Sequence, residues 1–98
     1  MNGDKIKAMI IEDSALMRNI LTRSLSGSDQ IEVVGTAING VFGLKKLNKL
    51  MPDIIILDLE MPEMNGIEFL KERNLLGIKT PVIILSAHAV KGAKITLE

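Results

Sequence analysis

Acidic and hydroxyl side chains directly follow three apolar runs of this 98-residue sequence. They are Glu12 and Asp13 after the first run, Asp58 and Glu60 at the third, and Ser86 after the fourth. Clustered carboxylates repel one another, and a divalent cation relieves that repulsion. An all-oxygen set without histidine or cysteine suits Mg²⁺, which binds one or two carboxylates together with phosphate oxygens. The pattern therefore indicates phosphoryl chemistry, with Asp58 as the nucleophile that accepts a phosphoryl group.

The apolar runs that carry these residues are predicted to be β-strands. They are Ala8–Ile11, Ile31–Ala37, Ile54–Leu57 and Val82–Leu85. The third and fourth runs are continuous and largely β-branched, which is typical of strands buried on both faces of a parallel sheet. The first run is also predicted to be central. The second run contains Glu32 and Gly35, which suits a strand at the margin of the sheet.

Segments with helical periodicity separate the strands. Candidate N-caps of the first two helices are Ser14 and Asn39, and Asn65-Gly66 is expected to introduce the third. The residues from His88 to Glu98 predict a fourth helical segment, with alanines and a leucine in phase. Strict alternation of strands and helices predicts an α/β fold, a doubly wound parallel sheet with right-handed crossovers. Ligands bind such sheets outside the carboxyl ends of the strands, which is where the acidic residues are expected to meet.

Composition excludes several classes of protein. Twelve basic and twelve acidic residues give a net charge of zero, and Phe42 and Phe69 are the only aromatic residues. Without a basic stripe or a stacking platform, no nucleic-acid partner is expected. No run of 18 apolar residues is present, so no membrane partner is expected either. The absence of cysteine fits a reducing compartment, and we expect one cytoplasmic domain.

From about Lys7 to Glu98 the sequence resembles the receiver domain of two-component response regulators. The most specific stretch is Pro52–Gly66, in which a strand ending in Asp is followed by Met-Pro and then by Gly. The resemblance implies a flavodoxin-like sheet with strand order 2-1-3-4. It also implies that residues 1–98 form one receiver domain that is incomplete at its C-terminus, because the fifth strand and fifth helix of the family are missing.

The resemblance assigns a role to each residue of the acidic cluster. Asp58 is implied to be the phosphoacceptor, phosphorylated by a histidine kinase with Mg²⁺ as cofactor. Glu12 and Asp13 form the acid pair that binds the metal together with Asp58, and Glu60 offers its backbone carbonyl. Ser86 is implied to be the switch hydroxyl that turns toward the phosphoryl group. Glu12 stands where a second Asp is more usual, which leaves Asp13 as the firmer ligand.

Within the family, stretches such as Glu12–Arg18 and Gly92–Glu98 are most similar to the receiver of the chemotaxis protein-glutamate methylesterase. In that enzyme the receiver precedes an esterase domain and restrains it until phosphorylation. The resemblance thus implies the regulatory part of a methylesterase, with that effector domain as a partner. This chain contains no esterase residues, so the activities expected of it are self-phosphorylation and autodephosphorylation.

The missing fifth strand of the family would end in a lysine that pairs with the phosphoryl group. The lysines considered for that position, none of which matches it, are Lys71, Lys79, Lys91 and Lys94. A phosphorylation-impaired receiver that acts as an interaction or dimerisation module therefore stays open. Such a module is expected to form a homodimer through the open edge of the fourth strand, unless Ala89–Leu97 refolds to cover that edge. A haloacid-dehalogenase-like phosphatase is a more distant alternative, because Asp58-Leu59-Glu60 lacks that family's Asp two residues after the nucleophile.

Overall fold

The computed structural model describes residues 4–58, 65–86 and 94–97. The elements in chain order are β1 (Ile6–Ile11), α1 (Ala15–Ser26), β2 (Ile31–Ala37), α2 (Gly40–Leu50), β3 (Ile54–Asp58), α3 (Gly66–Leu75), β4 (Val82–Ser86) and β5 (Lys94–Leu97). They form one sheet in the order β2-β1-β3-β4-β5. The pairings among the first four strands are parallel, so the predicted α/β fold and the order 2-1-3-4 are confirmed.

The fifth strand corrects the helix predicted for the end of the sequence. Lys94–Leu97 was expected to lie in that helix, but these residues pair antiparallel with β4, as the alternative of a segment that covers this edge allowed. The edge of β4 is therefore covered, and the homodimer through an open β4 edge loses its premise. Unpaired backbone groups at a sheet edge favour pairing with any nearby chain, and the β-branched Ile95 and Thr96 suit a strand. The remainder of the predicted fourth helix lies outside the described residues.

α1 and α2 begin at the predicted N-caps, and α3 begins where Asn65-Gly66 was expected to introduce it. The Ser14 hydroxyl accepts a hydrogen bond from a backbone N–H of α1, and the Asn39 side chain does the same for α2. Asn65 and Glu68 form a reciprocal capping box, in which each side chain accepts from the other residue's backbone N–H at 3.0 and 2.9 Å. Caps of this kind stabilise a helix by about 1 kcal/mol each, so short-range hydrogen bonds set the start of every crossover.

The hydrophobic core lies mainly on the face of the sheet that α2 and α3 cover. Its buried members are Met9, Ile11, Ala37, Leu47, Ile55, Leu57, Phe69, Val82 and Ile84. Successive β1 residues from Met9 to Ile11 are all fully buried, as predicted for a central strand. By contrast, α1 buries none of its side chains, and Leu16 and Ile20 are 71% and 46% exposed. The core thus holds the carboxyl ends of β1 and β3 rigidly side by side.

Candidate functional site

The carboxyl ends of β1, β3 and β4 meet at one edge of the sheet. Ile11, the last residue of β1, pairs with Leu57, so Glu12 and Asp58 leave their strands side by side. Asp58 in turn pairs with Leu85, the penultimate residue of β4. This edge, which we call the acidic rim, is where parallel α/β sheets place their ligands.

Three carboxylates converge at the acidic rim. One carboxylate oxygen from each of Glu12, Asp13 and Asp58 lies within 4.8 Å of the other two. The Glu12 and Asp58 side chains are buried, with 6% and 9% of their surface exposed, whereas Asp13 is exposed. The cluster is therefore closed on the protein side and open to solvent at Asp13, as a site that admits a soluble ligand must be.

The loop between β1 and α1 holds the acid pair in place. The backbone N–H of Ser14 donates to Oε2 of Glu12 at 3.1 Å, and the Glu12 N–H donates to the Ala37 carbonyl at 3.0 Å. The Arg18 guanidinium donates from Nη1 to the carbonyl oxygens of Glu12 and Asp13, at 2.9 and 3.1 Å. Arg18 was not singled out from the sequence. The sequence signal for this contact is the position of Arg18 in the first turn of the helix that follows the acid pair.

Burial and electrostatic repulsion both act on the carboxyl group of Glu12. Burial raises the pKa of this carboxyl from 4.5 to about 7, and the negative charge of Asp58 adds to the rise. The hydrogen bond from the Ser14 N–H acts in the opposite direction and lowers the pKa. Near neutral pH the cluster therefore holds more negative charge than its surroundings stabilise, which favours binding of a cation.

The donor set of the acidic rim fits Mg²⁺. Its three ligating groups are carboxylates, and the chain contains no cysteine that would favour a softer metal. Mg²⁺ binds through one or two carboxylates and keeps several waters, which matches a half-open cluster. Burial is the main cause of the raised pKa of Glu12, and a divalent cation would offset both this cost and the repulsion from Asp58.

The structure describes only the backbone of Ser86 and does not describe Glu60. Ser86 ends β4, one residue beyond the partner of Asp58, so its backbone lies at the acidic rim. Its role as a switch hydroxyl stays a prediction. Glu60 lies outside the described residues, and its carbonyl ligation likewise stays a prediction.

A cleft lies at the opposite end of the strands. It has a volume of about 720 Å³ and is lined by Asp4, Lys5, Lys7, Glu32 and Asp53. These residues precede or begin their strands, and acidic and basic groups are mixed among them. The carboxylate convergence at the acidic rim, rather than cleft size, therefore locates the candidate site.

No helix in the described ranges is long and apolar enough to cross a membrane.

Comparison with known proteins agrees with this arrangement. The family model of the response regulator receiver domain matches residues 8–97. A protein-glutamate methylesterase/protein-glutamine glutaminase of Treponema denticola is 48% identical over 97% of this chain and 26% of its own length. The corresponding protein of Clostridium acetobutylicum is 50% identical over 97% of this chain and 28% of its own. The chain thus spans about a quarter of the length of these relatives.

Solved structures give the same result. The response regulator domain of Thermotoga maritima CheB superposes with a TM-score of 0.80 and 37% identity, covering 91% of this chain and 66% of that one. The receiver domain of the putative response regulator NarL from Mycobacterium tuberculosis has a TM-score of 0.82 and 31% identity over 90% of this chain and 71% of that one. With the family model matching almost the whole sequence, the chain belongs to the response regulator receiver domain family.

Proposed function

We propose that this chain is a phosphoacceptor signalling domain, phosphorylated on Asp58 in an Mg²⁺-dependent reaction by a histidine kinase. The observation that carries the proposal is the convergence of the Glu12, Asp13 and Asp58 carboxylates within 4.8 Å at the end of the central strands. A carboxylate beside a divalent cation site is suited to nucleophilic attack on phosphorus.

In the proposed reaction an Asp58 carboxylate oxygen forms a bond to the phosphorus of the donor. The bond from phosphorus to the donor nitrogen of a phosphohistidine, or to the oxygen of an acyl phosphate, breaks, and the leaving atom keeps the electron pair. Glu12, Asp13 and Asp58, with the Glu60 carbonyl, would hold Mg²⁺, which when bound neutralises charge on the phosphoryl oxygens. The product is an aspartyl phosphate, toward which Ser86 would act as the switch hydroxyl.

The chain's own residues position the nucleophile before any donor arrives. The Arg18 guanidinium fixes the backbone of the acid pair, and the Ser14 N–H orients the Glu12 carboxylate. Asp58 sits at the end of a strand whose preceding residues are buried in the core. Such preorganisation supports catalysis because phosphoryl transfer depends almost entirely on positioning and charge stabilisation.

We further propose that residues 1–98 act as the regulatory part of a chemotaxis protein-glutamate methylesterase in the cytoplasm. The support is the 45–50% identity to proteins of that name in several bacteria. The proposed partners are a histidine kinase, which donates the phosphoryl group, and a methylesterase domain, whose activity the receiver controls. The absence of cysteine from the chain is consistent with a reducing compartment.

The test is incubation with Mg²⁺ and acetyl phosphate, followed by intact mass spectrometry. We expect one phosphate adduct in the wild type, its loss in Asp58→Asn and with EDTA, and its retention in Asp53→Asn. Asp53 is a matched control because it lies just before the amino end of the same strand, away from the cluster. An adduct that survives Asp58→Asn would contradict the assignment. Turnover of phosphomonoesters would favour a phosphatase, and no adduct at all would favour an impaired interaction module.

A further inference from the structure

A small cleft beside the end of β2 combines apolar and cationic side chains. It has a volume of about 270 Å³ and is lined by residues of α1, β2 and α2. The described residues that line it are Arg18, Thr36, Ala37, Ile38, Phe42 and Lys46. They include no carboxylate. We call this set, together with Lys45 beside the Phe42 ring, the α2 cleft. The chemistry proposed for the acidic rim gives its apolar side chains and lysines no role.

Two apolar side chains of the α2 cleft are open to solvent. Ile38 and Phe42 are 48% and 43% exposed, whereas Phe69, the other aromatic residue of the chain, is fully buried in the core. Aromatic residues are enriched in the interfaces between proteins relative to the rest of the protein surface. A cleft of less than about 300 Å³ is also smaller than most small-molecule sites and suits one inserted side chain.

Three cations surround this apolar wall, and the contacts that hold them are with neutral groups. The Lys46 ammonium donates to the Thr36 carbonyl, and Nζ of Lys45 lies 5.6 Å from the centroid of the Phe42 ring. The Arg18 guanidinium donates to two backbone carbonyls of the acid pair. Positive charge of this kind attracts a partner of complementary charge and orients it on the surface.

The neighbouring acidic rim limits which anionic partner fits. Arg18 lines the α2 cleft and contacts the backbone of Glu12 and Asp13, so the cleft and the rim adjoin. Nucleic acids and anionic membranes present phosphates over a wide area, and a polyanion on the cleft would meet the rim carboxylates as well. A short protein segment with a few carboxylates avoids that repulsion, and an apolar side chain within it matches Ile38 and Phe42.

We infer that the α2 cleft is a docking surface for a short acidic segment of a partner protein. The segment inserts one aliphatic or aromatic side chain beside Ile38 and Phe42, and its carboxylates lie against Lys45 and Lys46. This inference goes beyond the proposed phosphoryl transfer, because docking at the α2 cleft requires neither Mg²⁺ nor a phosphorylated Asp58.

The first experiment selects short peptides from a random phage-displayed library on the immobilised wild-type chain. We expect the enriched peptides to carry Asp or Glu on both sides of a leucine, isoleucine, phenylalanine or tryptophan. Enrichment of basic or uncharged peptides would overturn the inference. So would the absence of any enriched peptide that depends on the α2 cleft.

The enriched peptide, made synthetically with a fluorescent label, is then titrated with variants by fluorescence anisotropy. Phe42→Ala should weaken binding at least about tenfold, as should Lys45→Glu combined with Lys46→Glu. Leu76→Ala and Lys79→Glu are matched controls, because they change an exposed leucine and an exposed lysine near the amino end of β4. Both controls should bind like the wild type, and losses as large in the controls would refute docking at the cleft.

Two further measurements separate docking from an effect on folding. Phe42→Tyr keeps the ring and should bind within about threefold of the wild type, and raised salt should weaken binding to the wild type more than to the double lysine variant. On peptide addition, amide NMR shifts should change at Arg18 and from Thr36 to Lys46 and stay constant around Lys79. Shift changes spread evenly over the chain would contradict a local site.

The remaining outcomes distinguish other occupants of the cleft and the proposed function. Self-association in light scattering that Phe42→Ala abolishes would assign the cleft to a second copy of this chain and overturn the inference. Equal competition by a single-stranded oligonucleotide or by vesicles rich in phosphatidylserine would assign it to phosphate groups and overturn it likewise. Asp58→Asn should bind the peptide like the wild type. Peptide binding without an Asp58-dependent phosphate adduct would support this inference and contradict only the proposed function.

Discussion

Glu12 makes the folded domain less stable as pH rises, which is the opposite of the usual effect of a carboxylate. Its pKa is 4.5 in an ordinary environment and about 7 in the folded chain, so the folded state favours the protonated carboxyl. The stabilisation is fully present below about pH 4.5 and is lost as pH rises through about 7. Within the described ranges, the charged groups around Glu12 are Asp13 in its own loop, Asp58 on β3 and Arg18 on α1.

The magnitude follows from the difference between the two pKa values. At about 1.4 kcal/mol per pKa unit, the full difference corresponds to about 3 kcal/mol. The cluster is open to water at the exposed Asp13, and screening reduces the effect to about 1 to 2 kcal/mol. Metal-free wild-type protein should therefore lose about that much unfolding free energy, relative to Glu12→Gln, between about pH 4.5 and about pH 8.

Urea denaturation with EDTA at a series of pH values measures this difference, because Glu12→Gln removes the titrating group and leaves the rest of the chain unchanged. Glu32→Gln is the matched control, since Glu32 is an exposed glutamate on the edge strand β2 and should follow the wild type. Mg²⁺ at about pH 8 should stabilise the wild type more than Glu12→Gln, because the cation binds the ionised cluster. Identical pH profiles for the wild type and Glu12→Gln would refute the reasoning.

Three further predictions concern the scaffold that holds the acidic rim. Phe69→Ala should lower the unfolding free energy by about 3 to 5 kcal/mol in urea titrations, because Phe69 is fully buried, whereas Phe42→Ala, at a ring 43% exposed, should cost much less. Asn65→Ala removes a capping box and should cost about 1 kcal/mol, seen as a lower urea midpoint with an unchanged slope. Arg73→Met removes two hydrogen bonds to the Thr80 carbonyl, at 3.0 and 2.8 Å, and should cost about 1 to 3 kcal/mol and speed amide hydrogen exchange before β4. Unaltered exchange there would mean that this contact does not hold α3 to the sheet.

Much of the scaffold was predictable because its determinants are local. The N-caps at Ser14, Asn39 and Asn65 act through hydrogen bonds to residues three positions away, so a short stretch of sequence contains both partners. The edge position of β2 was predictable from Glu32 and Gly35, since a marginal strand tolerates a charge and a missing side chain. Parallel connections then bring the ends of β1 and β3 to one edge, which is how Glu12 and Asp58 were expected to meet.

Local pattern was a poor guide where long-range pairing competed with it. The weak helical period after β4 gave no information about the unpaired edge beside it, and pairing with that edge makes Lys94–Leu97 a strand. The exposure of the apolar residues of α1 could not be predicted from their spacing either. Periodicity indicates which residues share a helix face, but it does not indicate whether another element covers that face.

The sequence by itself determined the alternation of strands and helices, the helix starts and the three carboxylates that follow the strands, because each depends on neighbouring residues. Only the tertiary structure decided how far these carboxylates influence one another. The raised pKa of Glu12 comes from burial and from Asp58, which is 46 positions away in the chain. The contact of Arg18 with the acid-pair backbone and the pairing of Lys94 with Ser86 likewise exist only in the folded chain. Charge interactions and strand pairing act through space, so their strength is set when the chain has folded.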